Sequence, residues 1–506
     1  MRRGLSKSRI MAGLQCPRRL WLITYRPEQA VWSAEARRRL AIGHGLGEAA
    51  RGLYAGGELI DEGDGGLRRA LALTRARLAR PGDLTLFEPA FERDGTLVRV
   101  DVLRRRAGAC RMVEVKASAA LKAYQVTDAA VQAWVVAGSV RLQAVAVAHV
   151  DTSFVYPGGG DYRGLIKEVD VSRQARPIVA HIPALAAELR GMLAGPCPGK
   201  SVGRHCFEPF PCEFFADCGP QNVEFPVTLL PRGLQLALEL LADGYADLRD
   251  VPLDRLSQPE HVRVWRATRG GAAMLNPAVA RSVRELPYPR RYFDLEALNP
   301  AVPLWAGTRP YQVQPFQFSC HLQARPADER LEHTEFLDTS GADPALPFAE
   351  AALTALGTEG PVVVYSDYER AALESLAARL PQLGTRLRAV QGRLVDLLPL
   401  VREHYYHPDM CGSWSLKSVL PTVAPELAYS EGLGDVQEGL AAQDAWAALS
   451  GLSPEAAGWG EQRRQSLREA LFAYCARDTL AVARLVRFVE GADGVAVERA
   501  EPASPR

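Results

Sequence analysis

The sequence predicts a mixed α/β protein built around two separate cores. Two strand runs, LVRVDVLRR and RMVEVKA, precede an apolar helical stretch, DAAVQAWVVAG, and a further strand, LQAVAVAHVD. A second strand-rich stretch opens with RRYFDLEAL, and a chain of 506 residues exceeds what one hydrophobic core normally serves. With 47% hydrophobic and 24% charged residues, the composition is that of a globular protein.

Residues 1–222 form the first expected unit, running from N-terminal helix signals to the last of a group of clustered cysteines. Period-two alternation in VRVDVL and MVEVKAS makes these runs strands joined by a short turn, and Gly138 ends the helix that follows. Residues 223–288 carry apolar positions at helical spacing broken by Gly and Pro, which predicts a helical connector, read as a packing spacer in preference to a helix-turn-helix pair gripping backbone phosphates. Residues 289–490 form the second core. There RRYFDLEAL and YQVQPFQFSCHLQ read as paired strands, PVVVYSDYERAALESLAARL as a strand feeding a helix, and SLREALFAYCARDTLAVARLVRFVE as a long amphipathic helix. Residues 491–506 have no core-forming pattern and read as a disordered tail.

Net charge is +1, so any phosphate-binding surface must be local rather than a property of the whole chain. Basic groups at Arg2, Arg3, Lys7 and Arg9, at Arg18 and Arg19, and at Arg37 to Arg39 read as solvated helix faces. No apolar run reaches the roughly 18 to 20 residues that span a bilayer. The first residues lack the apolar stretch and cleavage site of an export signal. The expectation is a cytoplasmic protein with no membrane partner, whose nine cysteines are thiols or metal ligands rather than disulfides.

The first candidate site lies in the strand pair. Glu114 and Lys116 stand two apart and so share a strand face, and Asp101 on the preceding strand can meet them there. Glu88, in LFEPAF, is a further acidic candidate, and Gln132 lies on the following helix. Phosphodiester hydrolysis needs a divalent ion, carboxylates to hold it and a group to position the attacking water, and this trio supplies the last two.

Together VRVDVL, VEVKAS and a helix carrying Gln132 resemble the PD-(D/E)XK nuclease core of the RecB-like class. Cys16 in CPRRLWL, with Cys206, Cys212 and Cys218 almost two hundred residues later, resembles the iron–sulfur nucleases of the AddB type and of CRISPR spacer acquisition. The resemblance implies a restriction-endonuclease-like domain, Mg2+ or Mn2+ at Asp101 and Glu114, and a 4Fe-4S cluster acting as a structural staple. By residue type alone the thiolates bind zinc equally well, and Cys197 or His205 are alternative ligands. The chain departs from the family in having five residues in each late cysteine interval, Gly47 where a metal-binding His stands (His44 lies three earlier), and Val136 where Tyr follows the glutamine.

The second candidate site joins YFDLEAL to AYCARDTLAV. Asp294 and Glu296 share a strand face inside an apolar segment, where paired carboxylates are costly unless a cation neutralises them. Tyr474 and Asp478, four apart on a helix, share a face; a tyrosine hydroxyl there can orient a water while the aspartate holds ions.

These motifs resemble the DEDDy branch of the 3′–5′ exonucleases, which have an RNase H-like fold and include RNase D. The resemblance implies catalytic roles for Asp294, Glu296, Tyr474 and Asp478, with metal held by Asp294, Glu296 and Asp478. Glu369, behind Tyr368, falls at the middle acidic position, Ser366 stands where Asn is expected, and Asp367 and Asp396 are alternatives. GSWSLKSVLP resembles the segment in which Lys417 would contact phosphate. The order of the two halves resembles a bacterial RecB-like group with a fused exonuclease domain. It implies a metal-dependent nuclease with two active sites, releasing nucleotides from DNA in repair, recombination or defence. An RNA-processing exonuclease and an inactive nucleic-acid-binding scaffold are the alternatives.

Overall fold

The computed structural model describes residues 4–326, 328–428, 436, 439–453 and 456–491. The fold is mixed α/β and divides into two compact units, Met1–Gln221 with Pro300–Tyr311, and Asn222–Asn299 with Gln312–Arg506. Beyond Gly491 the expected tail lies outside the described residues. Among the described residues no helix is long and apolar enough to cross a membrane.

The first unit is organised on a six-stranded sheet whose strands follow in chain order: β1 (Glu58–Leu59), β2 (Leu84–Phe87), β3 (Val102–Arg106), β4 (Ala109–Lys116), β5 (Leu142–Val150) and β6 (Ile166–Asp170). β3 and β4 pair antiparallel through Ala107 and Gly108, both at positive φ, the backbone that a two-residue hairpin matching strand twist requires. β4 and β5 are parallel, as a strand, helix and strand crossover demands. Helices α1 (Lys7–Gln15) and α2 (Pro17–Tyr25) meet at Cys16. Ser6 caps α1 by accepting from Arg9 N, and Pro17 opens α2 at a position whose N–H would be unpaired anyway. The crossover helix α3 (Ala123–Val136) is buried along most of its length, and α4 (Ser172–Ala194) runs through Pro177 and Pro183. Val131, Trp134 and Val135 pack with Leu20, Met112 and Leu189 in one core.

The segment 223–288 is helical, containing α5 (Leu234–Ala242), α6 (Pro259–Gly270) and α7 (Ala278–Arg284). Its apolar residues do not form a spacer of their own. Leu240, Val264 and Val279 share one cluster with Tyr292, Val363 and Val486, so it belongs to the core of the second unit.

That unit is built on a five-stranded sheet in the order β9–β8–β7–β10–β11. These are β7 (Arg290–Leu298), β8 (Gln314–Gln323), β9 (Glu332–Leu337), β10 (Val362–Val364) and β11 (Leu394–Asp396). β7 pairs antiparallel with β8, placing Asp294 opposite Ser319 and Glu296 opposite Gln317, with an irregularity just after Glu296. β10 and β11 are parallel additions. Helices α8 (Ala345–Leu356), α9 (Tyr368–Arg379), α10 (Leu397–His404), α11 (Leu416–Val423), α12 (Gly439–Leu449) and α13 (Glu461–Glu490) follow. α13 is fixed to the sheet by buried polar contacts: Gln317 Nε2 donates to Leu471 O at 2.7 Å, and Ser319 Oγ meets Thr479 Oγ1 at 2.8 Å.

Candidate active sites

In the first unit, alternation along β4 turns Glu114 and Lys116 to the face that α3 covers. Glu114 is buried at 1% exposure, which leaves an ionised carboxylate nothing but its neighbours for stabilisation. Lys116 Nζ lies 2.6 Å and Lys7 Nζ 2.7 Å from its Oε1, and Gln132 Nε2 donates to its Oε2 at 2.5 Å. Burial alone would raise its pKa, but the two ammonium groups hold it well below the usual carboxylate range. Asp101 accepts from Val115 N at 2.6 Å, and burial, with the Glu114 charge beside it, pushes its carboxyl up to about 8.

Asp128, one turn before Gln132 on α3, pairs with Lys116 and stands 3.6 Å from Lys7. Burial raises its pKa despite those lysines. Lys7 and Asp128 are members of this cluster that motif reading passed over. Spacing from the glutamine along α3 could have found Asp128; nothing local marks Lys7, which arrives from α1. Glu88, at φ 55, donates its backbone N–H to Asp101 O at 3.2 Å; its carboxyl lies 3.6 Å from Arg99 Nε and is raised by burial, with the Glu114 charge adding to the rise. A divalent ion fits the donors present: Asp101 and Glu114 offer carboxylates, and Asp128 Oδ1 and Gln132 Oε1 are buried without a hydrogen-bond partner. Lys7 and Lys116 both stand at Oε1 of Glu114, so an ion held by this carboxylate would compete with their ammonium groups.

Cys16, Cys206, Cys212 and Cys218 line one small cavity together with Arg18 and Lys200. All four are free thiols. Burial raises the pKa of Cys206 and Cys218 and pushes Cys212 up to about 11, so the thiols stay protonated unless a cation draws them into the thiolate form. Arg18 Nε is buried without a partner at this cavity, which suits an anionic occupant. The donor set fits an iron–sulfur cluster or zinc. His205 also lines the cavity, whereas Cys197 and His44 are exposed.

In the second unit, Asp294 and Glu296 on β7 meet Asp478 on α13. One carboxylate oxygen from each lies within 4.8 Å of the others, the single such group among the described residues. Burial, then repulsion from Asp478 and the other acids, drives Asp294 and Glu296 well above the ordinary carboxylate range. Three clustered carboxylates, two of them held well above the ordinary range, fit a divalent metal site.

Glu369, in the first turn of α9 and 3% exposed, borders the same cleft as Asp294, Tyr474 and Asp478. Its Oε2 accepts from Ser366 Oγ at 3.0 Å, and burial pushes its carboxyl up to about 7. The alternatives are engaged elsewhere: Asp367 is exposed and pairs with Arg370, and Asp396 caps α10 by accepting from Leu398 N. Tyr474 is 4% exposed, one turn before Asp478, and its hydroxyl pKa is raised by burial and by the acids around it. Lys417 Nζ stands 5.3 Å from the centre of its ring.

Residues 291–415 match the family model described as a domain of unknown function, DUF2779. The matched stretch contains Asp294, Glu296 and Glu369 and stops short of Lys417, Tyr474 and Asp478. No curated protein matches the chain.

Proposed function

We propose that the chain is a metal-dependent nuclease with two active sites that hydrolyses DNA phosphodiesters, one of them as a 3′–5′ exonuclease. The observation that carries this reading is the convergence of Asp294, Glu296 and Asp478 within 4.8 Å beside Tyr474. Divalent ions held there would act as Lewis acids and neutralise charge on the attacking and leaving oxygens of a phosphodiester. Around them the chain's own groups divide the work: Glu369 closes the acidic edge of the cleft, Tyr474 directs its hydroxyl at the attacking water, and Lys417 offers a cation to the phosphate.

In the first unit, Lys116 would orient the water at Asp101 and Glu114, and Gln132 would hold the Glu114 carboxylate in place. The four cysteines would hold a 4Fe-4S cluster that ties α1 to the segment 206–218. The test uses end-labelled single- and double-stranded DNA and RNA of one sequence with Mg2+ or Mn2+. Asp294→Ala should protect 3′ ends while a second activity persists, and Lys116→Ala should remove that second activity. Loss of all cleavage in both variants would overturn the two-site reading, and preferential degradation of RNA would overturn DNA as the substrate.

A further inference from the structure

The cleft that holds the second unit's acids, about 670 Å³, also has Pro231, Arg232, Glu260 and Arg402 in its wall. A second cleft of about 520 Å³ shares Pro231, Arg232 and Glu260 and runs on past Arg255 and Gln258. The two clefts adjoin at these three residues, which the segment 223–288, read from the sequence as a spacer, contributes to the groove around the acids.

Glu260, in the first turn of α6 and 15% exposed in its side chain, sits between two guanidinium groups from different elements. Arg232 Nη2 donates to its Oε2, and Arg402 Nε, on α10, lies 3.6 Å from its Oε1. Arg232 holds φ at 53°, the left-handed region an arginine rarely adopts. It precedes Gly233, where a β-carbon would meet Leu230 Cβ at 2.8 Å. This tight turn keeps the Arg232 side chain at the groove rim, 73% exposed.

Two arginines around one carboxylate retain a net positive charge. A phosphodiester carries the same charge as a carboxylate and presents two oxygens to the same planar fork. Glu369 and Asp478 are 3% and 7% exposed and line this cleft, so a phosphodiester must enter the cleft to reach them.

We infer that this groove binds single-stranded nucleic acid, with Arg232 and Arg402 taking backbone phosphates in place of Glu260. The inference rests on the reading of the acid cluster as a phosphodiester-cleaving site, whose strand it feeds. The test is fluorescence anisotropy of labelled oligothymidylates, with and without a complementary strand, over a range of salt in Ca2+. Arg232→Gly, which suits the left-handed backbone, combined with Arg402→Gln should weaken binding about tenfold and lower the salt slope by about 1.4. Glu260→Gln, which releases both arginines, should bind several-fold more tightly. Unchanged affinity and slope in the double variant, weaker or equal binding by Glu260→Gln, or preference for the duplex would each overturn the groove. Strand binding without any metal-dependent cleavage would instead sink the reading of the acid cluster and leave the groove standing.

Discussion

Lys7 Nζ stands 2.7 Å from Oε1 of Glu114, a residue 107 positions along the chain. The contact makes the N-terminal helix an electrostatic part of the first site. A buried carboxylate deprived of one of two ammonium partners loses stability, by about 1–3 kcal/mol. Lys7→Met should lower the metal-free melting temperature, and Mn2+ should recover most of the loss by occupying the vacated position at Glu114. Calorimetry should then show tighter Mn2+ binding than in the parent chain. Unchanged melting and unchanged Mn2+ affinity would mean that Lys7 does not compete for this oxygen.

The cysteine cavity gives a second prediction. Anaerobically purified protein should be brown, absorb near 400 nm and contain iron and sulfide in equal amounts. Cys16→Ser removes the proposed ligand nearest α2, so it should bleach the protein and destabilise the first unit. Cleavage at 3′ ends, which the proposed function assigns to the other unit, should persist. Stoichiometric zinc in place of iron would show that the four thiolates hold a mononuclear site.

Much of this was legible in the sequence because it is local. Period two along RMVEVKAS fixes which side chains share a face, DxE on a strand puts two carboxylates together, and a four-residue interval aligns Tyr474 with Asp478 on α13. What escaped reading is set by distant pairing. Lys7 reaches Glu114 only once α1 docks on α3, and Asp128 counts only when Lys116 faces it. The segment 223–288 reads as a packing spacer, in preference to a helix-turn-helix pair gripping backbone phosphates, until Met274 and Leu275 pair with Tyr406 and Tyr405, which draws it into the second core. Pro300–Tyr311 lies inside the second unit's sequence yet belongs to the first, where Tyr156 N donates to Thr308 O. No periodicity encodes such an exchange.

Glu369 ties stability to pH. Its carboxyl rises from an ordinary 4.5 to about 7 in the fold. A group raised on folding contributes stability that is whole below about 4.5 and is lost as pH climbs through about 7. Without divalent ions the second unit should therefore melt at progressively lower temperature as pH rises from about 4.5 to about 7, and level off above. Glu369→Gln should flatten that slope. Mg2+ or Mn2+ should stabilise more at pH 8 than at pH 5, because the acids must ionise to bind it. A slope that survives in Glu369→Gln would assign it to Asp294 and Glu296 instead.

Tyr474 and Asp478 share one helical face but should fail in different ways. Asp478 supplies a carboxylate to the acid trio, so Asp478→Asn should abolish both metal-dependent stabilisation and 3′-end cleavage. Tyr474 offers a hydroxyl rather than a charge, and its buried ring packs near Lys417, so Tyr474→Phe keeps the shape and the ligands. It should bind Mn2+ like the parent chain and lose kcat on 3′ ends by about 10²- to 10³-fold with little change in KM. A water-orienting group acts chiefly in the transition state, whereas a packing residue would shift melting and KM together. Equal kcat in Tyr474→Phe would leave the hydroxyl without a part in the chemistry, and loss of Mn2+ binding would make it a ligand-positioning residue.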